Sequence, residues 1–500
     1  MVGRLDSAET MQMTHSQLER FVDVEGRELL RRLFQDHLDL RVPGEADARV
    51  VSAGGAVLTH RRNHVRPLET IFGKVSVTRK GYGARGVDSL HPLDAELNLP
   101  DEKYSLEVRR RVAVEAVKAS FDETVTAMDE NTGARVPKRQ AEELVVRAAV
   151  DFDTFYTQGR GGCGEVELAE TGPILVLSVD GKGIVMRRED LRAATRKMAE
   201  SREHKLVSRL SKGEKRDTKR MAEVAAVYTI EPHIRKAEDV IGALRPVREG
   251  EQPPPKPEQK RVWASVEKDM ESVMEEAFQE GLRRDPNRSK KWVALVDGNK
   301  TQLKALKRLA RKYQIRLTIV VDFVHALEYL WRAGNALLGE GERQTEAWVV
   351  ERALRLLNGE ASCVAAGIRR SATLRGLTGS ARRAMDKCAD YLLKNARHMR
   401  YGQCLKQGYP IATGVIEGAC RHLVKDRMDI TGARWGLECA EAILKLRALR
   451  SSGDLDAYWK FHEAKEFERN HAARYGAPIP STGKSNIGRN GDRTHLHMVK

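Results

Sequence analysis

Three aspartates directly follow apolar segments that have the character of buried strands. Asp180 ends VLSVD, Asp297 ends VALVD and Asp322 ends TIVVD. A carboxylate at the end of a buried strand lies at the carboxyl edge of an α/β sheet, where such sheets place their ligands. For the first two, Asp-Gly is also an ordinary turn signal after a strand. Three such endings in one mixed sheet favour a shared acidic site.

A fourth acidic residue, Glu417, falls in the first turn of an expected helix, and Arg421 and Lys425 follow it at four-residue steps. Such an acid can simply offset the helix dipole or pair with the base four residues on. Beside a basic stripe it also suits a metal ligand next to a phosphate backbone. Mg²⁺ prefers oxygen ligands, and two such ions about 4 Å apart activate an attacking oxygen and stabilise a leaving one. The acids therefore predict metal-dependent phosphodiester chemistry.

The composition favours a polyanionic partner. The 500 residues include 87 Lys and Arg against 71 Asp and Glu, which gives a net charge of +16. A protein this basic usually meets nucleic acid or an anionic membrane surface, although charge kept only for solubility is the alternative. No segment approaches the roughly 18 apolar residues of a spanning helix, and the polar N-terminus lacks the apolar core of a signal peptide. We therefore expect a cytoplasmic protein that binds nucleic acid and no membrane.

Periodicity predicts a mainly helical first part. A helix is expected over 11–39, a pair of strands within 50–85, and three helices between 105 and 156. Such a triplet suits a helix-turn-helix module, whose last helix enters a major groove, and an ordinary three-helix bundle explains it equally well. The candidate DNA contacts in this region are Arg109, Arg110, Arg111, Lys118, Lys138 and Arg139.

Beyond a glycine-rich hinge the chain alternates between strand and helix. Strands are predicted at 173–181, 221–230, 261–264, 290–299 and 316–323, and a helical block follows from 325 to about 400. A basic stretch, 187–220, separates the first two strands and is far longer than a common loop. It is either a solvated loop or a clamp that orders on DNA. The candidate phosphate contacts in it are Arg209, Lys212, Lys215 and Arg216.

Taken in order, four motifs resemble those of ISKra-type bacterial insertion-sequence transposases, relatives of the Mutator-like DDE enzymes. They are SVDGKG, WVALVDGNKTQLKAL, VVDFVHALEYLW and GYPIATGVIEGACRHLVKDRMDITGARW. The segments HPLDAELNLPDEKYSLEVRRRVAVEA and AAVDFDTFY are similar to the same family. The resemblance covers about residues 60–465, and its motifs are specific as a set although none is specific singly.

The resemblance implies an RNase H-like catalytic fold, with one carboxylate after strand one, a second after strand four and a glutamate on a late helix. Carried over, Asp180, Asp297 and Glu417 bind two Mg²⁺ or Mn²⁺ ions. Asp322 is the alternative for the second position. With His325 it forms the Asp-x-x-His motif found downstream of that carboxylate in Mutator-like enzymes, and we expect this pair to support the site.

The expected domain organisation follows from the sequence patterns and from the same family resemblance. We expect an α/β protein with an N-terminal helix and small β region, a helix-turn-helix-like region, an RNase H-like core interrupted by an all-α insertion, and a disordered tail. The respective ranges are 1–100, 101–160, 168–325 with 406–455, 326–405, and 475–500. The tail from about 481 matches nothing in the family, and the N-terminus has no zinc-finger spacing.

The implied function is a DNA transposase that cuts strands at element ends and transfers them to target DNA. Its expected partners are terminal inverted repeats, target DNA and further copies of itself in a homodimer or larger oligomer, associated with a bacterial nucleoid. The alternatives are a catalytically inactive DNA-binding protein derived from a transposase and an RNase H-like nuclease. Intact acids argue against the first, and the helical insertion with a separate DNA-binding region argues against the second. The chain has no GxxxxGK[ST] loop, so ATP use is not expected.

Overall fold

The computed structural model describes residues 2–41, 45–158, 171–201, 218–242 and 254–482. The chain is a mixed α/β protein of two compact units, so the predicted α/β class is confirmed. One unit comprises Met1–Gly161 with Asp456–Lys500, and the other comprises Gly162–Leu455. Among the residues described, no helix combines the length and the apolar character needed to cross a bilayer.

A long helix on a small antiparallel sheet begins the first unit. The two long strands form a hairpin and the third adds to its second strand. Phe34 and Leu38 of the long helix pack on Leu68, Val75 and Val77 of the hairpin, which gives this part its core. The elements are α1 (Val2–Leu5), α2 (Ala8–Met11), α3 (His15–Leu40), β1 (His60–Thr70), β2 (Gly73–Ala84), β3 (Val87–Leu90) and α4 (Pro92–Glu96).

Three helices of equal length follow and pack on one another, as expected from the sequence. They are α5 (Leu106–Ala116), α6 (Phe121–Asn131) and α7 (Lys138–Ala148), and the short α8 (Phe152–Thr157) completes the group. Ser105 and Ser120 cap α5 and α6 by accepting backbone N–H groups of the first turn. The helix-turn-helix interpretation of this bundle remains a prediction.

A five-stranded mixed sheet forms the centre of the second unit. Its spatial order is β6-β5-β4-β7-β8. Strand β5 runs antiparallel to both of its neighbours, β4 and β6, whereas β4, β7 and β8 run parallel to one another. The strands are β4 (Ile174–Val185), β5 (Lys219–Ile230), β6 (Glu258–Ser265), β7 (Lys291–Val296) and β8 (Leu317–Val321).

The first strand of this sheet is longer than the sequence predicted. The Asp-Gly pair after Val179 is not a turn, because β4 continues through Asp180 to Val185 in an antiparallel ladder with β5. Only the parallel ladder with β7 stops at Ser178. Asp180 therefore lies inside a strand, at the level where its parallel neighbour ends.

Helices surround the sheet and make up the chain after β8. They are α9 (Ala193–Glu200), α10 (Ala237–Gly242), α11 (Met270–Arg284), α12 (Lys300–Lys312), α13 (Phe323–Leu338), α14 (Arg343–Leu357), α15 (Ala361–Leu374), α16 (Gly379–Asn395), α17 (Tyr401–Lys406), α18 (Gly414–Ala419), α19 (Asp426–Met428) and α20 (Leu437–Ser452). A π-helical segment, Cys420–Lys425, continues α18. Of the predicted basic clamp, the structure describes 187–201 and 218–220. The named residues Arg209, Lys212, Lys215 and Arg216 lie outside the described residues.

The last helix, α21 (Leu455–Asn470), returns to the first unit, which the sequence analysis did not anticipate. Its fully buried His462 lies between Asp151 and Arg109, with its Nδ1 2.7 Å from the carboxylate and its Nε2 2.8 Å from the guanidinium. Arg109 also pairs with Glu102 at 2.5 Å and with Glu466 at 2.9 Å. Buried charged side chains of α21 thus pair with buried charged side chains of residues 102–151 inside this unit.

The prediction of a disordered tail from residue 475 is wrong for 475–482. Tyr475 bridges to Ser52, and Thr482 bridges to Ala46. Gly476 also donates its backbone N–H to the Val51 carbonyl at 3.1 Å. Paired backbone groups hold this segment on the first unit. The remainder of the predicted tail, 483–500, lies outside the described residues.

A buried ion cluster fixes α11 to the edge of the large sheet. Glu280 is 6% exposed, and its carboxylate lies 2.6 Å from Arg261, 2.6 Å from Arg284 and 2.8 Å from Arg283. Burial by itself would raise the pKa of Glu280, but the charges of Arg261 and Arg284, with Arg283, bring it well below its usual range. This carboxyl group therefore stabilises the fold in its charged form.

We expect Glu280→Gln to lower the free energy of unfolding by about 3–5 kcal/mol, because it leaves buried guanidinium groups without their counter-charge. Urea unfolding measures the change. Because the folded-state pKa is depressed, the contribution of Glu280 is complete above the unfolded-state pKa and is lost as the pH falls through the folded-state pKa. The matched control is Glu346→Gln, at an exposed residue of α14, with an expected change within about 0.5 kcal/mol. Equal effects of the two variants would contradict the assignment.

Candidate functional site

The three predicted aspartates lie at the same level of three neighbouring parallel strands. The ladder of β4 with β7 ends at Ser178 and Leu295, two residues before Asp180 and Asp297. The ladder of β7 with β8 ends one residue before Asp297 and Asp322. The backbone N–H of Asp322 continues this pattern by donating to the Val296 carbonyl at 2.8 Å. The acids therefore form one row across the carboxyl edge of the parallel strands.

Strand alternation places the row on the face of the sheet opposite α11. Leu175 and Trp292 lie beneath Gly281 of α11, where their side chains leave no room for a Cβ. Side chains alternate between the two faces along a strand, so residues an odd number of positions apart lie on opposite faces. Asp180 lies five residues after Leu175, and Asp297 lies five residues after Trp292. Both aspartates therefore face away from α11.

The turn before α18 and the first turn of that helix lie against this acidic row. The Thr413 hydroxyl donates to Oδ2 of Asp322 at 2.5 Å, and its oxygen also lies 3.2 Å from Oε1 of Glu417. Asp322 and Glu417 are 95 residues apart in the sequence, and a single hydroxyl group contacts both of them. The turn before α18 thus brings Glu417 close to Asp322.

Asp180 joins the same site through Cys420, which follows α18 directly. The buried Cys420 thiol donates to Oδ2 of Asp180 over a sulfur–oxygen distance of 3.4 Å. Burial and the charges of Asp180 and Glu417 raise the pKa of this thiol far above its usual range. Cys420 is therefore a neutral donor near the acidic row. Neither Thr413 nor Cys420 was identified from the sequence.

Asp297 has the most open carboxylate of the row. Its side chain is exposed and accepts the Asn299 N–H at 2.8 Å. Its backbone is fixed by α16, since the Tyr391 hydroxyl donates to the Asp297 carbonyl at 2.9 Å. The next residue, Gly298, has φ +88°, and a Cβ at this position would collide with the side chain of Asn395 at the end of α16. The position of Asp297 therefore depends on the helical block.

Asp322, in contrast, has both carboxylate oxygens in use. It is 2% exposed, and its Oδ1 caps α13 by accepting the Val324 N–H at 2.9 Å while Oδ2 accepts the Thr413 hydroxyl. Burial raises the pKa of Asp322, although the Thr413 and Val324 hydrogen bonds and the nearby His325 act in the opposite direction. His325 itself packs edge-on against Tyr391, with ring centroids 5.7 Å apart. The arrangement suits a supporting role for Asp322 and His325.

The predicted basic stripe lies on the π-helical extension of α18. Arg421 and Lys425 are both exposed, and the Arg421 side chain is 72% accessible. Arg447 of α20 donates to the Leu423 carbonyl at 2.9 Å and also to the His422 carbonyl. These bonds satisfy carbonyl groups where the regular α-helical pattern is interrupted. π-Helical turns of this kind are frequent at functional sites.

Arg109 does not belong with the predicted DNA contacts. It is 1% exposed, and its guanidinium is held by Glu102, Glu466 and His462. A signal was present in the sequence, because Arg109 shares a helical face with the apolar Val112 and with alanines at positions 113 and 116. We therefore assign Arg109 a structural role.

The other predicted contacts of the helix triplet are accessible. Arg111, Lys118, Lys138 and Arg139 are exposed, and Arg110 is partly exposed. Each has an acidic neighbour, as in the pairs Lys138–Asp122 at 2.7 Å and Lys118–Glu115 at 2.6 Å. Ion pairs at exposed positions contribute little, about 0–1 kcal/mol. These cations therefore remain available to phosphate groups.

In the described part of the chain, the acidic group whose ligand atoms all lie close to one another is not the acidic row of the second unit. Ligand atoms of Asp151, His462 and Glu466 lie within 4.8 Å of one another in the first unit. Two guanidiniums already neutralise this group, since Arg469 pairs with Asp151 at 2.6 Å and Arg109 pairs with Glu466 at 2.9 Å. The positive charge that a metal would supply is therefore present, and we assign this group a structural role.

We expect Gly298→Ala to destabilise the protein by about 1–3 kcal/mol, because it forces a side chain into a left-handed backbone conformation. Its Cβ would also come within 2.9–3.0 Å of the Asn395 side chain. Thermal unfolding measures the loss. The control is Gly418→Ala in α18, which has open space around it. That variant should be neutral or stabilising by up to about 1 kcal/mol. A neutral Gly298→Ala would mean that α16 does not constrain the loop carrying Asp297.

Comparison of the chain with models of protein families, with curated proteins and with solved structures found no match. The function of the acidic row is therefore inferred from its own residues. Asp180 and Asp297 lie at the carboxyl edge of neighbouring strands, and Glu417 lies on α18, which reaches this edge through Thr413 and Cys420.

Proposed function

We propose that the chain is a DDE-type DNA transposase, which cleaves DNA strands at element ends and joins them to target DNA. In this proposal Asp180, Asp297 and Glu417 hold two Mg²⁺ or Mn²⁺ ions. The observation that carries the proposal is that Asp180 and Asp297 lie at the carboxyl edge of neighbouring strands while Glu417 lies on a helix linked to this edge. Arg421 and Lys425 are exposed on the segment that continues this helix. The proposed partners are DNA and at least one further copy of the chain.

The strand order supports an RNase H-like arrangement of the second unit. Within its sheet, Asp180 lies on the first strand in sequence and Asp297 follows the fourth, which is the order that the family resemblance implies. Glu417 follows on a late helix, after the helical block that we propose is the all-α insertion. The acids therefore have the sequence order that the family resemblance implies.

The charge balance of the site fits divalent cations. Among the described residues, no lysine or arginine forms an ion pair with Asp180, Asp297 or Glu417. Elsewhere in the chain, by contrast, Glu280 is surrounded by three arginines. Oxygen ligands that lack a counter-charge suit Mg²⁺. When bound, such ions would activate the attacking oxygen and stabilise the leaving one.

Asp297 is the better candidate for the second ligand. Its carboxylate is exposed, whereas both oxygens of Asp322 already accept hydrogen bonds. Displacing those bonds would uncap α13 and free the Thr413 hydroxyl. We therefore assign Asp322 to positioning, since through Thr413 it orients the helix turn that carries Glu417. His325 lies near Asp322 and packs on Tyr391, whose hydroxyl holds the Asp297 carbonyl.

We expect Asp180→Asn, Asp297→Asn and Glu417→Gln each to reduce cleavage of element-end DNA by about 100-fold or more. A metal ligand contributes several kcal/mol to the transition state, and each 1.36 kcal/mol is a factor of about ten. Gel assays with the full chain and Mg²⁺ measure strand cleavage and strand transfer, and chelation of the metal should abolish both.

The matched control is Glu223→Gln. Glu223 is a half-buried acid of β5 and lies opposite Gly181 of β4 in the antiparallel ladder. Its side chain therefore lies on the face of the sheet that α11 covers. Wild-type cleavage by Asp297→Asn together with an inactive Asp322→Asn would reverse the assignment of the second ligand. DNA binding without cleavage by the wild-type protein would favour the inactive DNA-binding alternative, and cleavage without strand transfer would favour a nuclease.

The exposed face of α7 is the proposed point of contact with element ends. In the full chain, we expect replacement of Lys138 and Arg139 by alanine to weaken binding and to lower the salt slope by about 0.9 for each phosphate that the variant no longer neutralises. The full chain is required because a fragment ending near residue 160 would lack α21, which supplies buried charged partners to both Arg109 and Asp151. Fluorescence anisotropy over a salt series measures the slope. The control replaces Arg370 and Arg375, two exposed arginines at the end of α15, and an equal effect of both pairs would refute a specific role for α7.

A further inference from the structure

A basic cleft in the first unit has no role in the proposed reaction. Its volume is about 220 Å³, which suits a small ligand. It lies between the two long strands, α4 and the segment that follows α21. The side chains that matter for its chemistry are Arg66, Arg79, His91, Asp94, His471 and Arg474.

The cleft carries more positive than negative charge. Arg66 and Arg79 are mostly buried, and both face Oδ2 of Asp94, from which the Arg66 guanidinium is 3.5 Å away. Arg474 is exposed, and no acid among the described residues forms an ion pair with it. Asp101 also lies at the exposed rim. Three guanidiniums and two carboxylates thus line the cleft, and the charge of Glu102, outside the lining, also acts on Arg66.

Mutual repulsion acts on this cluster. Burial, together with the charges of Arg66 and Arg474, lowers the pKa of Arg79 to about 10. Burial and the same arginines, led by Arg79, lower the pKa of His91 to about 3, so its ring is neutral at neutral pH. Desolvated charges of one sign are costly. An anion bound in the cleft would relieve the repulsion.

Two buried atoms in the cleft have unused hydrogen-bonding capacity. The donor Nε of Arg79 and the acceptor Oδ1 of Asp94 have no hydrogen-bond partner among the described residues. Asp94 is 7% exposed, so water does not freely satisfy it. Buried polar atoms are nearly always paired in folded proteins. A ligand for this cleft should therefore offer both anionic oxygen acceptors and one hydroxyl donor.

We propose that the cleft binds a phosphate group that retains a P–OH, either as inorganic phosphate or as the terminal phosphate of a nucleic-acid strand. Its oxygens accept from Arg66, Arg79 and Arg474, and its hydroxyl donates to Asp94. Sulfate has the same shape but no proton at neutral pH, and an internal phosphodiester has none either. The inference does not rest on the acidic row of the second unit.

Thermal unfolding of the full chain at pH 6.5 tests the proposal, with sodium phosphate increased at constant ionic strength. A ligand that binds the folded state raises the melting temperature in proportion to the logarithm of its concentration once the site is saturated. Phosphate should therefore stabilise the protein more than sulfate does.

Arg474→Gln is the decisive variant, since Arg474 is exposed and its loss leaves the pairing of Arg66 and Arg79 with Asp94 intact. Loss of one charge-assisted hydrogen bond should weaken phosphate binding about tenfold or more. The control is Arg62→Gln, an exposed arginine of β1 that does not line the cleft. No stabilisation beyond that of chloride, or equal phosphate binding by Arg474→Gln, would refute the site. Equal stabilisation by sulfate would refute the role of Asp94.

A paired binding measurement identifies the source of the phosphate. Single strands with a 5′-phosphate and with a 5′-hydroxyl are compared for the wild type and for Arg474→Gln. Tighter binding of the phosphorylated strand by the wild type alone assigns the cleft to strand ends. Equal binding of both strands, together with saturable inorganic phosphate binding, assigns it to free phosphate.

Discussion

The carboxylates of the acidic row repel one another, and the second unit must offset this repulsion with hydrogen-bond donors, with protonation or with a cation. Neighbouring strands lie about 4.8 Å apart, and two unit charges at that distance repel by about 3 kcal/mol at an effective dielectric constant near 20. Asp322 reduces this cost because burial raises its pKa and two donors hold its oxygens. Asp180 accepts a thiol hydrogen bond. In the proposed reaction, a divalent cation bound by Asp180, Asp297 and Glu417 would offset the remaining repulsion.

The helical block after β8 is attached to the acidic row at both of its ends. It begins at Asp322, which caps its first helix, and it returns to the row where Tyr391 holds the Asp297 carbonyl. Tyr391 stacks on Tyr329 with ring centroids 4.1 Å apart, so the first and last long helices of the block are joined beside the site. A shift of this block would therefore move Asp297 relative to Asp180, which is fixed within the sheet.

The positions of the acids followed from the sequence more readily than the contacts that hold them. Apolar runs ending in aspartate predicted three strands, and parallel strands share a carboxyl edge, so the row was foreseeable. The continuation of β4 beyond Asp180 was not, because it depends on pairing with β5, whose partner residues lie more than 30 positions away. The donors were equally hidden, since Thr413 is 91 residues from Asp322 and Cys420 is 240 residues from Asp180. Local pattern carries no information about such contacts.

The buried or clustered carboxyl groups of the chain fall into three classes according to their partners. These classes distinguish acids with a structural role from the acids proposed to be functional. Glu280 and Asp151 are charged and have arginine partners. Asp322 is buried with a raised pKa and is held by neutral donors. The acids proposed as metal ligands fit neither pattern, since among the described residues they have no basic partner and Asp297 and Glu417 remain exposed. Neighbouring carboxylates without a basic partner repel one another and so destabilise the fold. A bound cation would remove this repulsion, which favours a functional role for these acids.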